Sequence, residues 1–211
     1  MKNKITKNKG FTLVELIVVI AIIGVLAAIL IPTMIGYTIQ AQVTPADATA
    51  SKIKNSITYF LTEADTQGYG FRPVTGNYCN GEITVTNSLW TLKITEGDPS
   101  TVFASSDISW TGNGSGKAGD SKFSNCAEQI LAITLADSLP DITTAKIGFR
   151  LENGNCCACY FTSDTDGSLT VPTFGNDGWS TTGFVWNGNN KGISDEGYVV
   201  GTAPALPLSK S

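Results

Sequence analysis

From Leu16 to Ile31 the chain runs through sixteen uncharged, almost wholly apolar residues, and from Phe11 to Ile35 its only charge is Glu15. An α-helix over the latter stretch spans about 37 Å at about 1.5 Å per residue, enough to cross the ~30 Å hydrocarbon core of a bilayer. The segment therefore reads as a membrane-inserting helix. Lys2, Lys4, Lys7 and Lys9 lie on its N-terminal side. Positively charged flanks stay cytoplasmic, so everything after the helix is expected on the far side of the membrane. A cleaved secretory signal, cut near Ala27 or Ala28, is the simpler alternative. Two features oppose it. The apolar run continues through Ile29, Leu30 and Ile31, and a carboxylate near membrane depth is costly and has no purpose in a discarded peptide.

Glu15 therefore asks for a partner. If the chain is cut just before Phe11, the new α-amine lies one helical turn away. That amine is largely protonated at neutral pH, and in low dielectric the pair attracts far more strongly than in water. The two charges are neutralised within one subunit or between neighbours.

The residues around the cut carry a resemblance. Lys9-Gly10-Phe11-Thr12-Leu13-Val14-Glu15-Leu16, followed by the apolar run, resembles the processing and methylation site of type IV pilins and their relatives. Those relatives include the pseudopilins of type II secretion and the pilins of DNA-uptake systems. The resemblance covers the leader and the apolar helix; beyond them only architecture can be compared. It implies cleavage after Gly10 by a prepilin peptidase, N-methylation of Phe11, and retention of the helix as membrane anchor and filament core. Glu15 then registers an incoming subunit against the Phe11 amine of its neighbour. The implied partners are further copies of the chain, the prepilin peptidase and methyltransferase, and an inner-membrane assembly platform with a cytoplasmic ATPase. The implied location is the plasma membrane, as a single-pass precursor, and then a cell-surface filament.

Gly24 and Pro32 bound the stretch GVLAAILIP. Weak helix propensity at one end and a missing amide donor at the other make this the cheapest place to open the helix. A continuous helix is expected there in the lone subunit. An extended segment is expected in the assembled fibre, as in several filaments of the resembling family.

Composition excludes much else. Of 14 basic side chains in 211 residues, the four leader lysines fall where no acid occurs, and all 18 acidic side chains lie beyond them. An acidic mature chain has no evident surface for a phosphate backbone, so no direct nucleic-acid partner is expected. Histidine is absent, which removes the commonest general base and metal ligand. The run from Gly112 to Lys117 lacks the spacing of a phosphate loop, with Thr111 and Ala118 at the positions that decide it. Asp164-Thr165-Asp166-Gly167 has the carboxylate spacing of a calcium loop but not its remaining ligands, and reads as turn chemistry. No catalytic residue, cofactor or metal is assigned.

The organisation expected is a leader over 1–10, a membrane and filament-core helix over 11–35, an amphipathic helix over 36–66 and a β-rich head over 67–211. Val43, Ala46, Ala50, Ile53, Ile57, Phe60 and Leu61 recur at helical spacing, giving one apolar stripe to lay on a sheet. Pro32 and Pro45 are expected to bend the helix. In the head, Ile83, Val85 and Leu89 to Ile94 predict strands, Asp98-Pro99 a turn and Gly112 to Gly119 a loop. Ala127 to Leu139 predicts a second helix, opened by Ser124 or Asn125 and stopped before Pro140. Ala145 to Leu151 and Cys156 to Thr162 predict a hairpin around Gly154, and Gly197 to Thr202 a last strand. The fold class is α+β: a long N-terminal helix, apolar then amphipathic, packed on an antiparallel sheet.

Five cysteines, Cys79, Cys126, Cys156, Cys157 and Cys159, suit an exported domain and are disulfide candidates. Simple alternation puts Cys157 and Cys159 on one strand face and Cys156 on the other, with bridges to Cys126 and Cys79. A thiolate metal site is the competing reading of Cys-Cys-x-Cys. Two further functions stay open beside the filament subunit. One is a pseudopilin, for which Asp177, Asp195 and Glu196 are the oxygen donors available to a calcium loop. The other is an adhesin or carbohydrate-binding tip, which rests on Trp90, Trp110, Trp179 and Trp186.

Overall fold

The computed structural model describes residues 10–66, 78–97, 111–122, 126–167, 169–176, 178–180, 184–186 and 198–210. The chain divides into two units, Met1–Ala41 and Gln42–Ser211.

Helix α1 runs from Leu13 to Thr66. Gly24, Pro32 and Pro45 all lie inside it, so the expected continuity through GVLAAILIP holds. Hydroxyls supplement the backbone near both prolines: Thr33 Oγ1 donates to the Leu30 carbonyl at 2.8 Å and Thr49 Oγ1 to the Pro45 carbonyl at 2.9 Å. Within the first unit, Leu13–Met34 is apolar and long enough to span a bilayer, and none of it is buried. In the second unit the sequence periodicity takes effect, and all seven stripe residues from Val43 to Leu61 are buried.

The sheet follows as β1 (Tyr78–Thr86), β2 (Leu89–Gly97), β3 (Asn113–Gly116), β4 (Thr144–Glu152), β5 (Asn155–Thr162) and β9 (Val200–Ala203), in the order β3-β2-β1-β4-β5-β9. Every neighbouring pair is antiparallel. Two-residue turns close the hairpins, Asn87-Ser88 between β1 and β2 and Asn153-Gly154 between β4 and β5, all four residues at positive φ. That is the twist a two-residue hairpin needs. Alternate residues point to the core: Ile83 faces Ile147, Gly81 faces Phe149 and Cys79 faces Leu151 across β1 and β4. They meet Ile53, Ile57 and Leu61 of α1 and Leu131 and Leu135 of α2 (Ala127–Ser138). Burying each such side chain contributes about 1.5–3 kcal/mol.

Two expectations are corrected here. Gly112 to Gly119 is not all loop, because Asn113–Gly116 pairs with β2 as edge strand β3. The glycines are there because α2 lies directly on the strand. A Cβ at Gly114 would collide with the backbone of Glu128 and Gln129, and one at Gly116 with Ile133. Helix α2 is capped by Cys126, in extended conformation and without a side-chain capping bond. Ser124, Asn125 and the Asp98-Pro99 turn lie outside the described residues.

The remaining short strands are β6 (Phe174–Gly175), β7 (Gly178–Trp179), β8 (Phe184–Trp186) and β10 (Leu208–Lys210); β6 pairs with β7, and β8 runs parallel to β10. A second apolar cluster forms around Tyr160, Leu169 and Val200. The last strand of the main sheet is fastened to α1: Gly201 lies against the Ala46 backbone, and the Thr202 N–H donates to Asp47 Oδ1 at 2.7 Å.

Candidate functional site at the start of the N-terminal helix

The first turn of α1 is built by four residues. Thr12 precedes the helix, and its Oγ1 accepts from the Glu15 N–H at 3.3 Å. Glu15 answers, its Oε2 accepting from both the Thr12 N–H and the Thr12 hydroxyl at 2.8 Å each. This is a reciprocal capping box, Thr-x-x-Glu, satisfying two of the amide donors that a helix start leaves open. A carboxylate there also faces the positive end of the helix dipole. The box is absent from the sequence expectation, which gives Glu15 only the Phe11 amine, although the Thr-x-x-Glu spacing just before an apolar run is itself the signal.

The geometry leaves room for a second partner. Both accepted bonds fall on Oε2, and among the described residues Oε1 takes none. Phe11 is 90% exposed. A Cβ built on Gly10 meets nothing within 4 Å, so there is open space around this residue. Gly24, likewise, has open space around it.

The other sequence candidates lie elsewhere. The cysteine alternation is broken by a bulge in β5: Arg150 faces Ala158 and Leu151 faces Cys156, so Cys157 is the extra residue. Cys156 and Cys159 consequently share one core face with Cys79, and Cys157 is half-buried on its own. No disulfide joins any of the five among the described residues. Cys79 faces Leu151, which faces Cys156 on its other side. An intervening strand at ~4.8 Å per step puts those two Cα atoms about 10 Å apart, beyond the ~7 Å a disulfide spans. Burial raises the thiols of Cys156 and Cys159 well above their ordinary range, which makes them inert small hydrophobes. The Cys126 thiol donates to Glu128 Oε2 at 3.2 Å, and the buried Glu128 also holds the Gly112 N–H.

Two of the four tryptophans are accounted for by packing. Trp90 is buried in the core. Trp179 stacks on Phe174 at 5.3 Å, which stacks on Tyr160 at 6.0 Å, and its Nε1 donates to the Pro204 carbonyl at 2.9 Å. Trp110, Asp177, Asp195 and Glu196 lie outside the described residues, and Trp186 ends β8. Asp164 is buried and accepts from the N–H groups of Asp166 at 3.1 Å and Leu169 at 2.6 Å, which is the turn chemistry expected of it.

An unburied apolar helix, preceded by Gly10-Phe11 and carrying an acid one turn in, has the form of a prepilin-type N-terminus. Comparison with known proteins agrees: a family model described as the prokaryotic N-terminal methylation motif matches residues 5–31. The chain is similar to a fimbrial protein of Neisseria meningitidis, 45% identical over 64 residues, 30% of this chain and 38% of that one. A fimbrial protein of Moraxella nonliquefaciens is 44% identical over 78 residues, 34% of this chain and 51% of the relative. The type IV major pilin protein PilE1 of Neisseria gonorrhoeae is 49% identical over 57 residues, 26% of this chain and 34% of the relative. The chain thus spans between about a third and a half of the length of these relatives. No solved structure matches it.

Proposed function

We propose that this chain is the structural subunit of a type IV pilus-like filament. It enters the membrane as a prepilin, is cut after Gly10, is methylated on Phe11, and polymerises through α1. Its partners are further copies of itself, the prepilin peptidase and methyltransferase, and an inner-membrane platform driven by a cytoplasmic ATPase. It passes from a single-span membrane precursor to a cell-surface filament. The observation that carries the reading is the pairing of an unburied apolar stretch, Leu13–Met34, with the methylation motif over 5–31. An apolar face of that size demands lipid or neighbouring subunits. The names of the relatives, fimbrial proteins and major pilins, favour a filament over a secretion pseudopilus or an adhesive tip.

Assembly uses the open side of Glu15. The capping box fixes Oε2 against Thr12, which leaves Oε1 aimed away for the methylated amine of Phe11, on its own chain or a neighbour's. Glu15→Ala tests this. The precursor should still insert and its head still fold, but filaments should be lost, because the amine charge is left uncompensated in an apolar core. Normal filaments from that variant would contradict the pairing. Opening of the helix between Gly24 and Pro32 in the fibre belongs to the same reading, and Gly24→Ala should make filaments harder to stretch.

A further inference from the structure

The sequence contains four Asn-Gly dipeptides, at 80–81, 113–114, 153–154 and 187–188, and the three that are described sit in very different surroundings. Asn80 is buried, with Nδ2 donating to Glu96 Oε2 at 2.7 Å and Oδ1 accepting from Arg150 Nη1 at 3.3 Å. Gly81 lies in the middle of the sheet beneath the Phe149 ring. Asn113 is exposed, but Gly114 is paired with Leu92 and covered by the backbone of α2. Asn153-Gly154 is the turn between β4 and β5. Asn153 is exposed there, and the Gly154 N–H enters no hydrogen bond among the described residues.

We propose that Asn153-Gly154 is a site of spontaneous covalent modification, where the folded chain deamidates. The Gly154 amide nitrogen, having lost its proton to solvent, attacks the Asn153 side-chain carbonyl carbon. A carbon–nitrogen bond closes a cyclic imide, the Cγ–Nδ2 bond breaks, and the nitrogen leaves as ammonia with a proton from water. Water then opens the imide at one of its two carbonyls, giving aspartate or isoaspartate. No electrons are exchanged, and water is the sole co-reactant.

The structure supplies what the step requires at 153 and withholds it at 80 and 113. The attacking nitrogen must be outside a ladder, because a paired N–H cannot be surrendered cheaply. The residue after the asparagine must lack a Cβ that blocks approach. The segment must be able to move, which a surface turn does more readily than a central strand or one under a helix. The product matters to the fold. It adds a negative charge beside Glu152, whose carboxylate holds Arg150 Nε at 3.0 Å. Isoaspartate also routes the main chain through a side-chain carbon, lengthening a turn whose length sets the β4–β5 register. This chemistry does not depend on whether the chain polymerises.

The test is to incubate the full-length chain in detergent at neutral and at mildly acidic pH, then map peptides by mass with isoaspartyl methyltransferase labelling. Of the three described positions, 153 should convert first, and faster at neutral pH, while 80 and 113 convert only after unfolding. Asn153→Gln should remove that signal and leave the other two positions as in the parent chain. Gly154→Ala should slow conversion at 153. The proposal is overturned if 80 or 113 converts faster than 153 in the folded chain. It is equally overturned if 153 stays intact at neutral pH while the urea-unfolded chain converts there.

Discussion

At the residue scale, Glu15 opens the helix and, under the proposed function, must also serve the subunit that the chain joins. Thr12 makes the two tasks compatible by taking one carboxylate oxygen through two bonds. Thr12→Val keeps the shape and removes the hydroxyl, so α1 should fray at its start and filament yield should fall. Thr12→Ser restores the hydroxyl and should restore the yield, measured by sheared-filament recovery; equal yields from both variants would remove Thr12 from the account. The thiols can be sorted in the same way. With Cys79, Cys156 and Cys159 sealed and Cys126 and Cys157 half-exposed, a thiol reagent should label two positions in the folded chain and the other three only in urea. Rapid labelling of Cys159 in the native chain would contradict the bulged register. Asp47 gives a pH signature. Desolvation raises its carboxyl above the ordinary range, partly offset by the Thr202 N–H and hydroxyl. A folded pKa above the unfolded one means the group's stabilising contribution is full below the unfolded value and is lost as pH rises through the folded one. Asp47→Asn keeps an acceptor for Thr202 and removes the titration. Its melting temperature should therefore exceed that of the parent near neutral pH, with the gap closing in acid.

At the element scale the head is held by glycines as much as by large side chains. Phe149 fills the space over Gly81, and the Tyr160 ring covers Gly148. Phe149→Ala should cost about 3–5 kcal/mol of stability, read from the urea midpoint, since it removes a buried ring and leaves a cavity above a residue with no side chain to fill it. A loss below about 1 kcal/mol would mean that the site collapses or the packing is otherwise. These close approaches also explain what the sequence showed and what it hid. The α1 stripe from Val43 to Leu61 and the Asn153-Gly154 hairpin were legible because period and turn chemistry are local. Strand β3 was hidden, because Asn-Gly-Ser-Gly has the composition of a loop and becomes a strand by pairing with β2, its glycines making room for α2. The β5 bulge was hidden for a related reason. An extra residue at Cys157 leaves no local mark, yet it brings Cys156 onto the face of Cys159.

At the scale of the whole molecule, what the sequence made plain was the apolar N-terminal helix and the prepilin-type motif at its start, because both depend on residues adjacent in the chain. The head carried no such motif; its α+β class was legible from the order of helix and strand patterns and is what the structure has, but its strand order and register became legible only through pairing over long separations. The central claim is therefore about the first residues: that the helix is kept and the leader is removed. Mass spectrometry of the N-terminal peptide from filament or membrane fractions tests it most directly. The mature chain should begin at Phe11 with a methylated α-amine, and replacing Gly10 by a bulky residue should leave the full precursor in the membrane. A chain that retains Met1, or one that begins near Ile29 without its apolar helix, would contradict the account.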